Sequence, residues 1–218
     1  MSTAPTVFLN HREPDLLGQT IVVIGGSAGI GLETARRARA EGADVIVTGR
    51  SPERLEHVAL DVNAAHTTAF DANDPAALER FVEDPPTPID HVMVTAGRPQ
   101  YGRAADMGYE QTRQALDEHL TLTLQVARNA AGKVRPEGTS VFMGGSGGRR
   151  AGVDLAIVST VTVAMPALIA NLALELAPVR VNLIAPSFGD TAPSGSILGE
   201  ELDARRRKAA IVRALPRG

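Results

Sequence analysis

Short β-branched runs recur along the chain, separated by stretches with helical spacing. Ile21–Ile24, Val45–Thr48, Thr67–Phe70, His91–Val94, Ser140–Met143 and Arg180–Ile184 predict strands. Ile30–Ala40, Ala76–Val82, Tyr109–Ala130 and the apolar stretch Leu155–Leu174 predict helices. Apolar strands alternating with helices imply a parallel sheet covered on both faces. The expected fold is therefore α/β: one doubly wound domain with right-handed crossovers. Residues 1–18 read as an N-terminal arm, and 19–218 as the domain. Pro186–Gly199, rich in Gly, Pro and Ser, reads as a loop placed to act as a lid over a site.

One helix needs separate treatment. Leu155–Leu174 carries no charged residue and has the length of a membrane span. It also holds Ser159, Thr160, Thr162, Pro166 and Asn171, and it sits between two strands of a soluble pattern. The expectation is a helix buried on most sides, in the core and against a partner subunit, with no membrane involved.

Composition narrows the function classes. Hydrophobic residues make up 44% of the 218, but aromatics only 3%, so the core must be aliphatic. Twenty-two basic against 25 acidic residues leave a net charge of -3, and no nucleic-acid partner is expected. The run Arg205–Lys208 follows Glu200, Glu201 and Asp203 and reads as a solvated helix face. No cysteine is present, which removes disulfides, thiolate nucleophiles and cysteine metal sites. His11, His57, His66, His91 and His119 show no ligand spacing with carboxylates. The N-terminus lacks a charged segment followed by an apolar one, so a cytoplasmic location is expected.

The strongest chemical signal is Val22-Val23-Ile24-Gly25-Gly26-Ser27-Ala28-Gly29-Ile30-Gly31, between the first strand and the first helix. Gly25 lets the chain turn off the strand, Gly29 lets backbone approach a pyrophosphate, and Gly31 lets the helix pack closely. The N–H groups around Ser27, Gly29 and Ile30, with the helix dipole, suit phosphate. The second strand ends Thr48-Gly49-Arg50-Ser51. An acid there would bind ribose hydroxyls; Gly49 removes it, while Arg50 and Ser51 offer donors to a 2′-phosphate. The expected cofactor is NADP(H), on a Rossmann-type sheet.

The spacing Gly-x-x-x-Gly-x-Gly resembles the short-chain dehydrogenase/reductase family, and further segments agree in order. Asp71 and Ala72 follow the third strand, where that family contacts adenine. Thr95-Ala96-Gly97 stands for its Asn-Asn-Ala-Gly motif. Leu174–Pro178, then Arg180-Val181-Asn182 and Pro186, is similar to the segment before its Pro-Gly loop, with Ser187 replacing the glycine. Thr191 matches the threonine at the nicotinamide end. The resemblance also implies a homodimer or homotetramer built on the two long helices. It implies a further helix and last strand as well, expected beyond Gly218: either the sixth strand is left as an edge or the sequence is a fragment of a longer chain.

The resemblance breaks at the catalytic group. The family's Ser, Tyr and Lys fall on Gly145, Val158 and Thr162, and its helix Asn on His119. The tyrosines are Tyr101 and Tyr109 and the lysines Lys133 and Lys208, so Tyr-x-x-x-Lys occurs nowhere. His119 is the candidate proton carrier and Ser146 the candidate hydrogen-bond partner of a substrate oxygen. Two functions follow: an oxidoreductase acting on a small carbonyl or alcohol, or a dinucleotide-binding protein without turnover. A helix histidine bonded to backbone and a turn serine are the plain alternatives for these residues.

Overall fold

The computed structural model describes residues 15–83, 88–146, 148 and 151–186. In order, the elements are β1 (Thr20–Ile24), α1 (Gly29–Ala40), β2 (Asp44–Gly49), α2 (Pro52–Val62), β3 (His66–Ala69) and α3 (Pro75–Glu83). Then come β4 (Ile89–Val94), α4 (Tyr109–Leu116), a π turn (Asp117–Thr121), α5 (Leu122–Ala130), β5 (Val134–Met143), α6 (Ala156–Glu175) and β6 (Arg180–Ile184).

The strands form one six-stranded sheet in the order β3-β2-β1-β4-β5-β6. Every pairing is parallel, from Ile21↔Val45 in the centre to Val141↔Asn182 near the edge. This is the doubly wound α/β sheet expected from the alternation. The order reverses between β1 and β4, and it is outside the strand C-termini at such a switch point that α/β sheets bind ligands.

Each face has its own aliphatic core. Ile21, Val23, Val45 and Val47 pack against Ala35 and Ala38 of α1 and Leu55, Val58 and Val62 of α2. Val22, Ile24, Val92, Val94 and Phe142 pack against α3, α5 and α6 on the other side. Burying one such Val or Ile side chain contributes roughly 1.5–3 kcal/mol. At the opposite end of the strands, the Asp90 carboxylate, 3% exposed, accepts the Thr20 N–H at 2.8 Å and the Arg135 Nε–H at 2.8 Å. That pair of bonds joins β1, β4 and β5.

Four local readings need correction. The alternation did not predict α2, although Ser51 caps it, Pro52 opens it, and Leu55, Val58 and Val62 form its apolar stripe. β5 begins at Val134 rather than Ser140, before a register irregularity against β4. The helix predicted over Tyr109–Ala130 is interrupted by the π turn at Asp117–Thr121. α6 is not a core helix on most sides. Only Val161, Met165, Ile169 and Leu172 are buried, one stripe against the sheet, while Val163 and Leu174 are 61% and 79% exposed. By length and composition α6 could cross a membrane, with 22% of its most apolar window buried. Residues 15–18 are tied to the domain by Leu16 N–H to Glu41 O at 3.0 Å. The question of a further helix and strand falls after residue 186, outside the described residues.

Candidate active site

The glycine turn is built by close approach of two backbone segments. Gly25 and Gly26 donate their N–H groups to Thr48 O at 3.2 and 3.0 Å. Gly25 has φ +91, and a Cβ on it would lie 2.5 Å from Ala96 N. A Cβ on Gly31 would run into Thr95 Oγ1 and Gly25 O. So Gly31 serves the contact between α1 and the end of β4 rather than packing on the sheet in general. Gly29 differs: at φ +57, a Cβ would meet nothing within 4 Å.

The space above Gly29 is what a phosphate needs. α1 starts after Ala28 with no side-chain cap and no acidic residue in its first turn. Its first N–H groups have no acceptor within the helix, and Ile30 is exposed. A dinucleotide pyrophosphate therefore fits this cradle. Gly49 is required by Ser27, because a Cβ there would lie 2.7 Å from Ser27 Oγ. This packs Ser27 over the end of β2, next to exposed Arg50. Ser51 Oγ accepts the Arg54 N–H at 3.2 Å, capping α2 and keeping its own hydroxyl proton free to donate.

After β3, Phe70 N–H bonds Gly49 O at 2.9 Å. Asp71 is exposed and accepts from Asn73 N at 3.0 Å, and Ala72 is buried beneath it. After β4, Thr95 and Ala96 N–H groups bond Ile24 O at 2.8 and 3.1 Å. Thr95 Oγ1 donates to Gly25 O at 3.0 Å. The expected cofactor residues from Gly25 to Gly97 thus gather at the C-terminal ends of β1 to β4. Pro186 follows β6, and its carbonyl accepts the Ser146 N–H at 3.1 Å. Thr191 lies outside the described residues.

The two catalytic candidates occupy neighbouring but separate places. His119 borders a cavity of about 10 Å³ with Val94, Ala96, Thr123, Phe142 and Met143, on the scale of one water molecule. Its Nδ1 lies 3.3 Å from Ala115 O. Burial pulls its pKa below the ordinary 6.5, against weaker upward pulls from the Ala115 carbonyl and the Glu118 charge. The imidazole is therefore mostly neutral near pH 7. Ser146 belongs to the turn after β5, and no hydrogen bond joins it to His119 among the described residues. On α6, Thr162 Oγ1 donates to Val158 O at 2.7 Å, and a Cβ on Gly145 would face Thr162 Oγ1 at 3.5 Å.

A larger cleft, about 580 Å³, opens between the ends of α5 and α6, with Lys133, Ser140 and Leu176 in its lining. It lies at the N-terminal ends of the strands, away from the glycine turn, where α/β sheets do not place their ligand sites.

Two residues tie this site together that the sequence pattern did not single out as site residues. One is Thr95, whose hydroxyl joins the turns after β1 and β4. The other is Glu118, 8% exposed, whose carboxylate accepts the Arg98 N–H at 3.1 Å and the Gln114 Nε2–H at 2.9 Å. An acid in phase with Ala115, Leu122 and Val126 on an apolar helix stripe was the available signal for Glu118.

Comparison with known proteins agrees with this geometry. The family model described as short chain dehydrogenase matches residues 19–201. A short-chain dehydrogenase/reductase of Stachybotrys chlorohalonatus is 30% identical over 193 residues, covering 79% of this chain and 74% of that protein. The crystal structure of a short-chain dehydrogenase/reductase from Brucella melitensis has the same fold, at TM-score 0.83 and 22% identity over 90% of this chain and 83% of that one. A short chain dehydrogenase from Burkholderia cenocepacia, solved in complex with NADP, is 26% identical at TM-score 0.80, covering 88% and 83% of the two chains. The chain belongs to the short-chain dehydrogenase/reductase family, whose members are oxidoreductases that bind a nicotinamide dinucleotide.

Proposed function

We propose that this chain binds NADP(H) and moves a hydride between it and a small carbonyl or alcohol, using His119 in place of the family's tyrosine. The carrying observation is the cradle at Gly29: an open positive-φ glycine at the first position of an uncapped helix, at the point where strand order reverses. Arg50 and the free hydroxyl proton of Ser51, beside an acid-free Gly49, support the 2′-phosphate form. The NADP complex of the Burkholderia relative is consistent with this reading. Asp71 would meet the adenine, and Pro186 and Thr191 the nicotinamide end.

Arg50→Ala is expected to weaken NADPH binding about tenfold to a hundredfold, the loss of a charge-assisted contact. NADH binding should change less than about twofold on the same scale. Calorimetric titration of both cofactors checks this, and tighter binding of NADH than NADPH by the unaltered chain ends the idea.

A second reading, a dinucleotide-binding protein without turnover, is favoured by α6. Val158 is apolar, and the Thr162 hydroxyl is already used on the Val158 carbonyl. NADPH consumption measured over a panel of small aldehydes and ketones separates the two readings.

The protein is proposed to work as a homo-oligomer. Val163 and Leu174 on α6 and Leu124 on α5 are 61%, 79% and 47% exposed. Apolar surface of this kind marks interfaces, and two-fold pairing is the commonest way to cover it. Light scattering of the unaltered chain should give a multiple of 22.9 kDa, and Val163→Glu should give that mass alone. A clean 22.9 kDa species from the unaltered chain at micromolar concentration defeats this. Co-sedimentation with lipid vesicles would instead assign α6 to a membrane.

A further inference from the structure

We propose that Glu118 is a positioning residue that clamps the turn after β4 into the shape the cofactor site requires. The inference takes its ligand from the dinucleotide reading above, but the clamp itself is built from this chain alone.

The turn after β4 has two halves with different anchors. Thr95 and Ala96 hang on β1, through their N–H groups to Ile24 O and the Thr95 hydroxyl to Gly25 O. Beyond Ala96 the support comes from the π turn. Gly97 adopts φ +106, and a Cβ on it would lie 2.5 Å from Glu118 O. The next N–H, that of Arg98, is taken by Glu118 Oε2 at 3.1 Å. Glu118 therefore meets this turn twice, with its backbone oxygen packed close against Gly97 and its carboxylate bonded to the Arg98 N–H. The other carboxylate oxygen accepts Gln114 Nε2 at 2.9 Å, which fixes its rotamer from one turn back along the helix.

This arrangement is costly unless it serves something. A carboxylate in an apolar stripe, 8% exposed, loses most of its hydration. A valine or leucine would pack on the same core with no such loss. Its two hydrogen-bond donors come from the helix and from the site turn, so the group couples one to the other. The coupling continues inward, because the same turn sets Ala96 N against Gly25, where a Cβ has no room. π turns concentrate at functional sites, where their extra residue re-aims side chains. Here the same five residues carry Glu118 onto the turn and His119 onto the adjacent cavity.

The test uses three variants and two readouts. Glu118→Gln keeps an oxygen for the Arg98 N–H, and Gln114 can turn its amide to accept from the new side chain. Glu118→Val removes the acceptor but keeps the packing. Gly97→Ala leaves Glu118 in place and pushes the turn off it. Hydrogen exchange of the Arg98 amide, measured without cofactor, should speed up about tenfold or more in Glu118→Val and Gly97→Ala and stay near the unaltered rate in Glu118→Gln. The NADPH dissociation constant should follow the same order, rising about tenfold in the first two and less than about twofold in Glu118→Gln. An Arg98 amide that exchanges freely in the unaltered protein, or equally in all variants, overturns the clamp. So does a Glu118→Gln as damaging as Glu118→Val. Protection that follows the expected order in a chain that binds no NADPH keeps the clamp and rejects the cofactor instead. If Glu118→Val does not fold, Gly97→Ala and Glu118→Gln still decide, since the clamp requires the first to lose Arg98 protection and the second to keep it.

Discussion

Gly25→Ala should lower unfolding free energy by roughly 2–4 kcal/mol, the range for backbone strain combined with overpacking. It should also weaken NADPH binding more than about a hundredfold, since the turn that presents N–H groups to phosphate cannot keep its shape. The added methyl sits at φ +91 and 2.5 Å from Ala96 N, with Ala96 Cα and Thr95 C each at 2.9 Å. These are backbone atoms, so no side chain can swing aside. Relief requires separating the turns after β1 and β4, which breaks the Thr95 and Ala96 bonds to Ile24 O. Gly29→Ala is the contrasting variant. Its methyl meets no protein atom within 4 Å, so stability should fall only by about 1 kcal/mol for the positive φ. Its NADPH affinity should still drop at least about tenfold, because the methyl would occupy the place proposed for the phosphate. Urea unfolding and calorimetry on the two variants check both halves. Equal stability losses, or undiminished NADPH binding by Gly29→Ala, would remove the division between a glycine that shapes the turn and one that faces the ligand.

That division shows how far the sequence could be read. The strand–glycine–helix order placed Gly25, Gly29 and Gly31 at the turn between β1 and α1, where positive φ and close backbone approach call for glycine. The sheet was legible for a similar reason: apolar runs such as Ile21–Ile24 and Val45–Thr48 must be covered on both sides. Reach across the fold was less visible. Gly49 reads locally as the absence of an acid, and only the folded chain shows Ser27 packed on it. Thr95 reads as an imperfect match to a motif, yet its hydroxyl holds Gly25 O. α2 is less visible because Glu53, Glu56 and Asp61 break up its apolar stripe, although Ser51 and Pro52 mark its start. α6 misled in the other direction. Its uniform apolarity hides which stripe meets the sheet, and the stripe through Val161, Met165, Ile169 and Leu172 emerges only from packing. The π turn has no signal of its own in the pattern, since Ala115, Glu118, Leu122 and Val126 keep ordinary helical phase.

His119→Ala is expected to cut turnover by about a hundredfold or more, within the roughly 10²–10⁴ that a positioned general acid or base contributes. NADPH affinity should stay within about twofold, because the side chain is proposed to act on the proton and not to hold the cofactor. The argument begins with the ring's hydrogen bond. With the proton on Nδ1, directed at Ala115 O at 3.3 Å, the Nε2 lone pair is free. Such a ring is a base. In alcohol oxidation it would accept the hydroxyl proton as the hydride leaves the carbinol carbon for the nicotinamide. Ser146, in the turn after β5, is the proposed partner of the same substrate oxygen. In the reverse direction the imidazolium must form first, and burial opposes it. The sign of the pH dependence follows. Oxidation should be flat above the lowered pKa and fall as pH drops through it, with a midpoint below 6.5. Reduction should instead rise as pH falls through the same midpoint, because only the protonated ring donates. Glu118 bears on this as well: its charge favours the imidazolium, so Glu118→Gln should move the midpoint lower still. Measuring kcat against pH in both directions, for the unaltered chain and these variants, tests the chain of reasoning. A midpoint at or above 6.5, or full turnover in His119→Ala, removes the ring from the chemistry. No turnover on any carbonyl or alcohol, in a chain that binds NADPH, would leave α6 with Val158 and Thr162 as the wall of a binding site.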